Sequence, residues 1–314
     1  MKAILPVIYD PGDFVLSSFR DRVGASAPIL ETEARIERII TGLRSCEHVR
    51  FLSAASAYEQ ALEVVGRVHS GEYLRFVAEA SERTEGEVLD SQFAEAGVVP
   101  DTPVTRGAYG AATRAFASAV AAANQLVRGE RQAYAVCRPP GHHAGRGFMG
   151  GYCYLNNACA AALVLRDAHQ RVAVVDIDYH HGNGTADILS TEDEVPFVSL
   201  HASTITSFPY LETTPRAANQ VFVAFDEPPS EDIYLAHLAE QLGGLSHVDA
   251  IVVSLGYDPV LGDPHGGWAM TPGFFQRAAR LFKETTRQLC FVQEGGYGLE
   301  RLAECSRELA SGLA

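Results

Sequence analysis

The residues best suited to metal chemistry are Asp178 and His180, which lie two positions apart in a stretch that we expect to be extended. In such a stretch, side chains two positions apart point to the same side of the backbone. A carboxylate and an imidazole placed in this way can chelate a divalent metal ion. A catalytic zinc site takes three protein ligands and keeps one position open for water, so one further ligand is needed.

Asp258 and Asp263 are both candidates for the third ligand, in the segment Gly-Tyr-Asp-Pro-Val-Leu-Gly-Asp-Pro at 256–264. Spacing alone does not choose between them. An isolated Asp or His in a turn more simply caps a helix or accepts a hydrogen bond from the backbone. The occurrence of several such residues together makes this simpler explanation a poor one.

Two adjacent imidazoles, His142 and His143, follow the turn sequence Pro-Pro-Gly. Beside a metal, such a pair can supply a general base and a second, orienting group. Each imidazole needs a partner that sets its tautomer, and Asp176 and Asn183 are available. Tyr297, after Gly-Gly, can donate its hydroxyl to a carbonyl oxygen that gains negative charge, and loss of such a donor costs about 3–4 kcal/mol. The simpler alternative is a tyrosine that only packs.

Short apolar runs that alternate with helical patterns are expected to position these residues. Strands are predicted at 133–137, 171–177, 195–201, 250–255 and 289–293, and helices at 107–127, 157–166, 231–242, 272–287 and 299–313. This alternation predicts an α/β fold whose parallel sheet is covered by helices on both faces. The first third reads as helical, at about 31–43, 57–65 and 72–80, with a loop or surface helix over 80–98. No repeat or linker divides the chain, so we expect a single domain over residues 1–314.

The polar clusters all follow predicted strands. In open parallel sheets, ligands bind at the carboxyl ends of the strands. Four such ends carry His, Asp, Gly and Tyr residues, after the strands at 133–137, 171–177, 250–255 and 289–293. We therefore expect these side chains to converge on one pocket.

Composition limits the partners of the chain. The formal net charge of −14 argues against nucleic-acid binding and suits either a cationic substrate or plain solubility. The six cysteines show no CxxC pair, as expected for free thiols in a reducing compartment. Neither a signal peptide nor an apolar run of membrane-spanning length is evident, which predicts a soluble cytoplasmic protein that does not bind membranes.

Four motifs resemble the histone deacetylase superfamily, and most closely the bacterial acetylpolyamine amidohydrolases. They are Cys-Arg-Pro-Pro-Gly-His-His-Ala-Gly at 137–145, Gly-Gly-Tyr-Cys-Tyr-Leu-Asn-Asn at 150–157, the stretch 176–185, and Glu-Gly-Gly-Tyr-Gly at 294–298. Weaker similarity covers 31–35 and 68–74, so the resemblance runs from about residue 31 to the end. It implies an arginase/deacetylase-like fold, with a central, mostly parallel sheet of about eight strands.

The resemblance also implies roles for individual residues. Asp178, His180 and Asp263 match the ligands of one zinc ion, and the motif favours Asp263 over Asp258. His143 matches the general base and His142 the neighbouring electrostatic histidine. The remaining matches are the partners that orient the two histidines (Asp176, Asn183), the carbonyl-polarising Tyr297, substrate-binding residues (Tyr152, Phe208, Gly151, His265) and the rim aspartate Asp101. A structural potassium site is also implied, formed by carbonyls of residues 176, 178 and 180 with Ser199 and Leu200.

The activity implied is zinc-dependent hydrolysis of an acetylated amine, either a small cationic acetylpolyamine or acetyl-lysine. The stretch 81–106 looks shorter than the insertion that shapes the dimer-lined tunnel of acetylpolyamine amidohydrolases, so a homo-oligomer is possible but not established. His265 stands where polyamine-selective relatives can place a glutamate. Alternatives are a deacylase of another small acylated amine or biosynthetic intermediate, an arginase-like ureohydrolase, and a non-catalytic acyl-chain sensor. A ureohydrolase would need a second metal site, and a sensor would be expected to lack Tyr297 or a metal ligand.

Overall fold

A computed structural model describes residues 4–10, 16, 19–168, 170–212, 216–286 and 288–314. Within these residues the chain forms twelve strands and nine α-helices. The strands are β1 (Leu5–Ile8), β2 (Phe19–Arg20), β3 (Ser26–Ala27), β4 (Val49–Leu52), β5 (Glu87–Val88), β6 (Val104–Thr105), β7 (Gln132–Ala135), β8 (Val172–Asp176), β9 (Phe197–Ala202), β10 (Gln220–Phe225), β11 (Ala250–Leu255) and β12 (Gln288–Gln293).

Helices occupy most of the connections between these strands. They are α1 (Glu33–Arg44), α2 (Tyr58–Val68), α3 (Gly71–Arg83), α4 (Ala108–Val127), α5 (Asn157–Asp167), α6 (Asn183–Leu189), α7 (Glu231–Gly244), α8 (Pro272–Thr285) and α9 (Leu302–Leu313). Single 3₁₀ turns lie at Ala55–Ala57 and Ser91–Phe93.

Eight strands form one sheet in the order β10-β9-β8-β11-β12-β7-β1-β4. Every neighbouring pair in this sheet is parallel. The expected α/β architecture, with a parallel sheet of about eight strands, is therefore confirmed. The short pairs β2–β3 and β5–β6 are antiparallel and lie outside this sheet.

The sheet is buried on both faces because successive side chains of its central strands alternate between two hydrophobic clusters. In β8, Val174 belongs to one cluster, together with α4 and α5 residues, and Val175 belongs to the other, together with α8 and α9 residues. In β11, Val252 and Val253 divide in the same way. Helices on both faces explain why these strands read as continuous apolar runs rather than as alternating ones.

All five predicted strands are present, with ends shifted by up to two residues. The structure adds β1, β4 and β10, which complete the two sides of the sheet. All eight predicted helices are present as well, and α8 ends at Thr285, while the predicted terminal residue Arg287 lies outside the described residues. The stretch 80–98 contains the end of α3, strand β5 and a 3₁₀ turn, rather than a single loop or helix.

The six cysteines are unpaired, and five of them are buried. Among the described residues, no helix is both long enough and apolar enough to span a bilayer.

Candidate active site

The ends of the four central strands meet in one cavity. β8, β11, β12 and β7 are consecutive in the sheet, and the loops that follow them carry Asp178, Asp258, Tyr297 and His142, respectively. All four residues line a cavity of about 630 Å³. The expected convergence of the four polar clusters is thus what the fold produces.

Asp178, His180 and Asp258 form a group of side chains that could hold a metal ion. One donor atom from each lies within 4.8 Å of the other two. His180 Nδ1 is 3.2 Å from Asp178 Oδ1 and 3.1 Å from Asp258 Oδ2. Two carboxylates and one imidazole suit a divalent cation such as zinc and leave a coordination position open to the cavity.

The structure corrects the third member of this group, which is Asp258 and not Asp263. The Asp263 carboxylate instead accepts hydrogen bonds from four backbone amides, those of His265, Gly266, Tyr297 and Gly298, at 2.9, 3.2, 2.5 and 2.7 Å. Both carboxylate oxygens are engaged in this way, so Asp263 joins the loop that follows β11 to the loop that follows β12. Sequence position favoured Asp258, because it is the third residue after β11 and lies near the strand end, whereas Asp263 is the eighth.

Glycines allow the backbone to pass close to the metal-binding carboxylates. A Cβ atom on Gly256 would lie 2.1 Å from Asp178 Oδ2, and one on Gly295 would lie 2.5 Å from Asp258 Oδ2. Burial, followed by the charge of Asp178, raises the pKa of Asp258 to about 7. Two buried carboxylates so close together are costly unless a cation compensates them, which supports metal binding here.

The two histidines have different partners, and both partners were expected. His142 Nδ1 is 3.0 Å from Asp176 Oδ2, and His143 Nδ1 is 2.6 Å from Asn183 Oδ1. Burial opposes the charged form of His142, but the carboxylates of Asp178 and Asp176 outweigh it and raise the pKa to about 10. Burial and the neighbouring histidines lower the pKa of His143. The pair therefore offers a cationic imidazole beside a neutral one.

Glu294 holds the turn that presents these histidines, a role that sequence reasoning missed. Its Oε2 accepts hydrogen bonds from the backbone amides of Gly141 and His142, at 2.6 and 3.0 Å. Glu294 is fully buried, and burial raises its pKa to about 8. The available signal was its position directly after β12, which lies beside β7 in the sheet.

Tyr297 is supported from behind by a buried ion pair. The Arg35 guanidinium carbon lies 4.8 Å from the centroid of the Tyr297 ring, and Arg35 Nε donates to the carbonyl oxygen of Gly296 at 2.8 Å. Glu31 pairs with Arg35, and both side chains are fully buried. This arrangement fixes the Gly-Gly-Tyr backbone and the plane of the ring.

Aromatic side chains line the cavity on two sides. Phe208 lies edge-on to His143, with ring centroids 4.6 Å apart. The ring centroid of Tyr152 lies 5.7 Å from that of Tyr297, and the Tyr152 hydroxyl is 3.1 Å from His265 Nε2. Phe19, from β2, packs on Tyr152 with ring centroids 4.2 Å apart, a contact that the sequence did not indicate.

Gly151 and Asp101 are joined at one wall of this cavity. The Gly151 amide donates to both carboxylate oxygens of Asp101, at 3.0 Å each. Gly151 has φ of 54°, and a Cβ atom there would lie 2.3 Å from His143 Cδ2, so a side chain does not fit. Asp101 is only 4% exposed, and burial raises its pKa to about 7. Asp101 thus lines the cavity as a buried group.

Comparison with known proteins is consistent with this geometry. A family model described as the histone deacetylase domain matches residues 29–313. An acetylpolyamine amidohydrolase of Mycoplana ramosa is 30% identical over 93% of this chain and 94% of its own length. Histone deacetylase 8 of Xenopus laevis is 30% identical over 78% of each chain. The crystal structure of an acetylpolyamine aminohydrolase from Burkholderia pseudomallei superposes with a TM-score of 0.86 at 27% identity, covering 98% of both chains.

Proposed function

Since the chain belongs to the histone deacetylase family, we propose that it hydrolyses the acetamide of an N-acetylated alkylamine, of acetylpolyamine or acetyl-lysine type, to acetate and the free amine. The observation that carries this proposal is a single cavity lined by a metal-ligand group, a histidine pair and a buried tyrosine. Members of this family are zinc-dependent deacetylases, and the donor set of Asp178, His180 and Asp258 suits zinc.

The chemistry follows from the groups on the cavity wall. When bound, zinc supplies Lewis acidity that polarises the amide carbonyl and acidifies water. His143, neutral and held through Nδ1, takes the proton of the attacking water at Nε2 and returns it to the leaving amine nitrogen as the C–N bond breaks. Tyr297 donates its hydroxyl to the carbonyl oxygen as negative charge develops there. His142, paired with Asp176, contributes positive charge beside the reacting atoms.

Tyr152 and Phe208 favour a slender acetylated chain, because two aromatic faces bury methylene groups without requiring polar partners. Asp101 and Gly151 shape the wall beside this chain, and His265 lies next to Tyr152. The acidic net charge of the protein raises the local concentration of cationic amines. These features support an acetylpolyamine or acetyl-lysine substrate.

The mouth of the cavity favours a second candidate, an acetylated amine whose other end carries a carboxylate. Arg20 and Arg22 both line this cavity. Arg20 pairs with Glu87 at 3.4 Å, whereas Arg22 lies 4.8 Å from the ring centroid of Tyr210 and, among the described residues, forms no ion pair with an acidic side chain. Asp21, between them, is engaged by two amides of its own turn. An anionic end group would meet a cation there.

Further parts of the proposal concern the whole chain. We propose one zinc ion per chain, one deacetylase domain over residues 1–314, and a cytoplasmic enzyme that binds neither nucleic acid nor membranes. We also propose a structural potassium ion beside Asp176 and Ser199, which are paired in the neighbouring strands β8 and β9.

The test is a deacylation panel with the zinc-loaded enzyme. N-acetylputrescine, N-pentylacetamide and 5-acetamidopentanoate present nearly the same chain with a cationic, neutral and anionic end. N-acetylcadaverine, an acetyl-lysine peptide and longer acyl-lysines complete the panel. We expect turnover of at least one acetamide, and a fall of about 10²–10³ in kcat for Tyr297→Phe, as for loss of an oxyanion donor.

Tyr109→Phe is the matched control, because Tyr109 is partly buried and does not line the cavity. Absence of turnover on every acetamide, or near-wild-type kcat for both Tyr297→Phe and His143→Ala, would contradict the proposed function. Preference for 5-acetamidopentanoate over N-acetylputrescine would support the carboxylate-ended candidate, and the reverse preference would exclude it.

A further inference from the structure

A carboxylate outside the recognised motifs lies directly behind the proposed general base. Glu95 Oε2 accepts a hydrogen bond from Asn183 Nδ2 at 2.6 Å, while Asn183 Oδ1 is 2.6 Å from His143 Nδ1. Glu95, Asn183 and His143 therefore form a continuous chain of hydrogen bonds that ends in the cavity. Glu95 comes from the Glu-rich stretch 80–98, to which sequence analysis assigned no function.

The direction of these hydrogen bonds follows from the chemistry of Glu95. An asparagine amide has one acceptor end and one donor end, and either end could face His143. Because Glu95 presents acceptor oxygens, the NH₂ end of Asn183 must face it, and the carbonyl end must face His143. The carbonyl oxygen then accepts a hydrogen bond from His143 Nδ1–H, so the neutral ring has its free lone pair on Nε2, the tautomer that a base acting in the cavity requires.

The position of Glu95 is fixed by its neighbours in the chain. Phe93 is buried and stacks on Phe76 with ring centroids 4.2 Å apart. The carbonyl oxygen of Phe93 accepts from the amide of Met149 at 2.9 Å, and that of Glu95 accepts from Val98 at 3.0 Å. These contacts fix the backbone on both sides of Glu95, and its side chain is thereby placed to accept from Asn183.

We infer that Glu95 is a positioning residue, which locks the amide of Asn183 so that His143 keeps its Nδ1–H tautomer. This inference rests on the proposed function of His143, and it extends the set of functional groups to the stretch between α3 and α4. Partners that orient the histidine ligands of metal sites account for about tenfold to a hundredfold in activity, and we expect an effect of the same order here.

The first test reads the tautomer directly and needs no substrate. Zinc-loaded enzyme labelled with ¹⁵N-histidine is examined by long-range ¹H–¹⁵N NMR, with His143 assigned by comparison with His143→Ala. We expect a protonated Nδ1 in the wild type and in Glu95→Gln, since the glutamine oxygen still accepts from Asn183. Glu95→Ala is expected to give a mixture of tautomers. Glu85→Ala is the matched control, because Glu85 is exposed in the same stretch.

The second test is a double-mutant cycle with Asn183→Asp. In the Asn183 enzyme, Glu95→Ala is expected to lower kcat/KM about tenfold to a hundredfold. A carboxylate at position 183 accepts from either oxygen and needs no orienting partner, and Glu95 would then face a like charge. In that background we expect Glu95→Ala to leave kcat/KM unchanged or to raise it.

An equal loss in both backgrounds, or an unchanged His143 tautomer in Glu95→Ala, would overturn the inference and leave Glu95 a structural role only. If the wild type hydrolyses no acetamide but its tautomer responds to Glu95→Ala, the proposed function fails and the positioning role stands. The NMR outcome also remains decisive if Asn183→Asp does not fold.

Discussion

At the scale of single residues, Asp258 and Asp263 show how the surroundings of a carboxylate decide its use. Asp258 is fully buried beside Asp178 and His180, with few backbone donors to neutralise it, so a cation is its natural partner. Asp263 already receives four backbone hydrogen bonds. Such bonds stabilise the ionised form and leave little capacity for a metal.

Substitution of each aspartate by asparagine should separate these roles. We expect Asp258→Asn to lose stoichiometric zinc, because an amide oxygen is a weaker ligand than a carboxylate. Asp263→Asn should retain zinc but lower the free energy of unfolding by about 1–3 kcal/mol, because amides lose a charged acceptor. Zinc content by mass spectrometry and urea unfolding of both variants provide the measurement. If Asp263→Asn lost zinc and Asp258→Asn retained it, the third metal ligand would be Asp263 and not Asp258.

His69 makes the stability of the protein sensitive to acid. It is fully buried, with Nδ1 2.8 Å from the carbonyl oxygen of Gly145 and Nε2 accepting from the Asn156 amide at 3.0 Å. Burial lowers its pKa to about 4. Below pH 6.5 the unfolded chain gains a proton at this position and the folded chain does not, so stability falls between about pH 6.5 and pH 4, by up to about 3 kcal/mol.

The matched pair for this prediction is His69→Gln and His247→Gln. Glutamine at position 69 can donate and accept hydrogen bonds but does not titrate. His247 is exposed, so its replacement serves as the control. We expect His69→Gln to be less stable at neutral pH and to lose less of its stability between pH 7 and pH 5 than the wild type. Urea unfolding at both pH values tests this, and an unchanged pH dependence in His69→Gln would rule out His69 as the source.

At the scale of elements, the strands that could be predicted are those buried on both faces. The inner strands β8 and β11 read as apolar runs because helices cover them on both sides. The edge strand β4 has a partly exposed pattern, and so does β10, which made both of them indistinct in the sequence. Strand β1 is buried but only four residues long, and its pairing with β4 and β7 is a long-range property.

The candidate site, like the strands, was predictable from the sequence only in part. Paired residues at short spacing, such as His142 with His143, were identified from the sequence, and so were the strand ends that bring them together. Glu95 and Phe19 were not identified, because their contacts with Asn183 and Tyr152 depend on how distant loops pack. The choice between Asp258 and Asp263 depended on backbone hydrogen bonds that spacing does not reveal.

The start of helix α6 packs tightly against the turn that carries His142 and His143. A methyl group added there should therefore disrupt packing, even though alanine favours a helix more than glycine does. A Cβ atom on Gly184 would lie 2.4 Å from the carbonyl carbon of Ala144, whereas one on Gly66 in α2 meets nothing within 4 Å. We expect Gly184→Ala to destabilise the fold by about 1–3 kcal/mol through overpacking and to lower activity. Gly66→Ala should stabilise it by about 0.5–1 kcal/mol.

Thermal unfolding and acetamide turnover of the two variants test this pair. Because the same substitution is made in two helices, helix propensity alone predicts stabilisation in both. If Gly184→Ala were as stable and as active as Gly66→Ala, the close approach of α6 to the turn that carries His142 and His143 would be wrong.

At the scale of the whole molecule, metal binding joins loops that leave different strands. Asp178 and His180 follow β8, and Asp258 follows β11. A ligand that binds only the folded state stabilises it by RT ln(1 + [L]/Kd), about 4 kcal/mol at a thousandfold excess over Kd. Removal of zinc with a chelator is therefore expected to lower the unfolding temperature, and added zinc should restore it.

Asp258→Asn is the control for this experiment, since a chelator should barely change its unfolding temperature. Differential scanning calorimetry of both proteins, with and without chelator, gives the comparison. A chelator that left the wild-type transition unchanged while removing the zinc would mean that the site does not contribute to folding stability.

The order of the strands has a consequence for local opening. The four site-bearing strands are the middle of the sheet, with β9 and β10 on one side and β1 and β4 on the other. Fraying begins at the edges of a sheet, so amide hydrogens of the outer strands should exchange with solvent long before those of β8, β11 and β12. The reactive side chains thus stand on the slowest-exchanging part of the backbone, and changes at either edge of the sheet can accumulate in evolution without moving them.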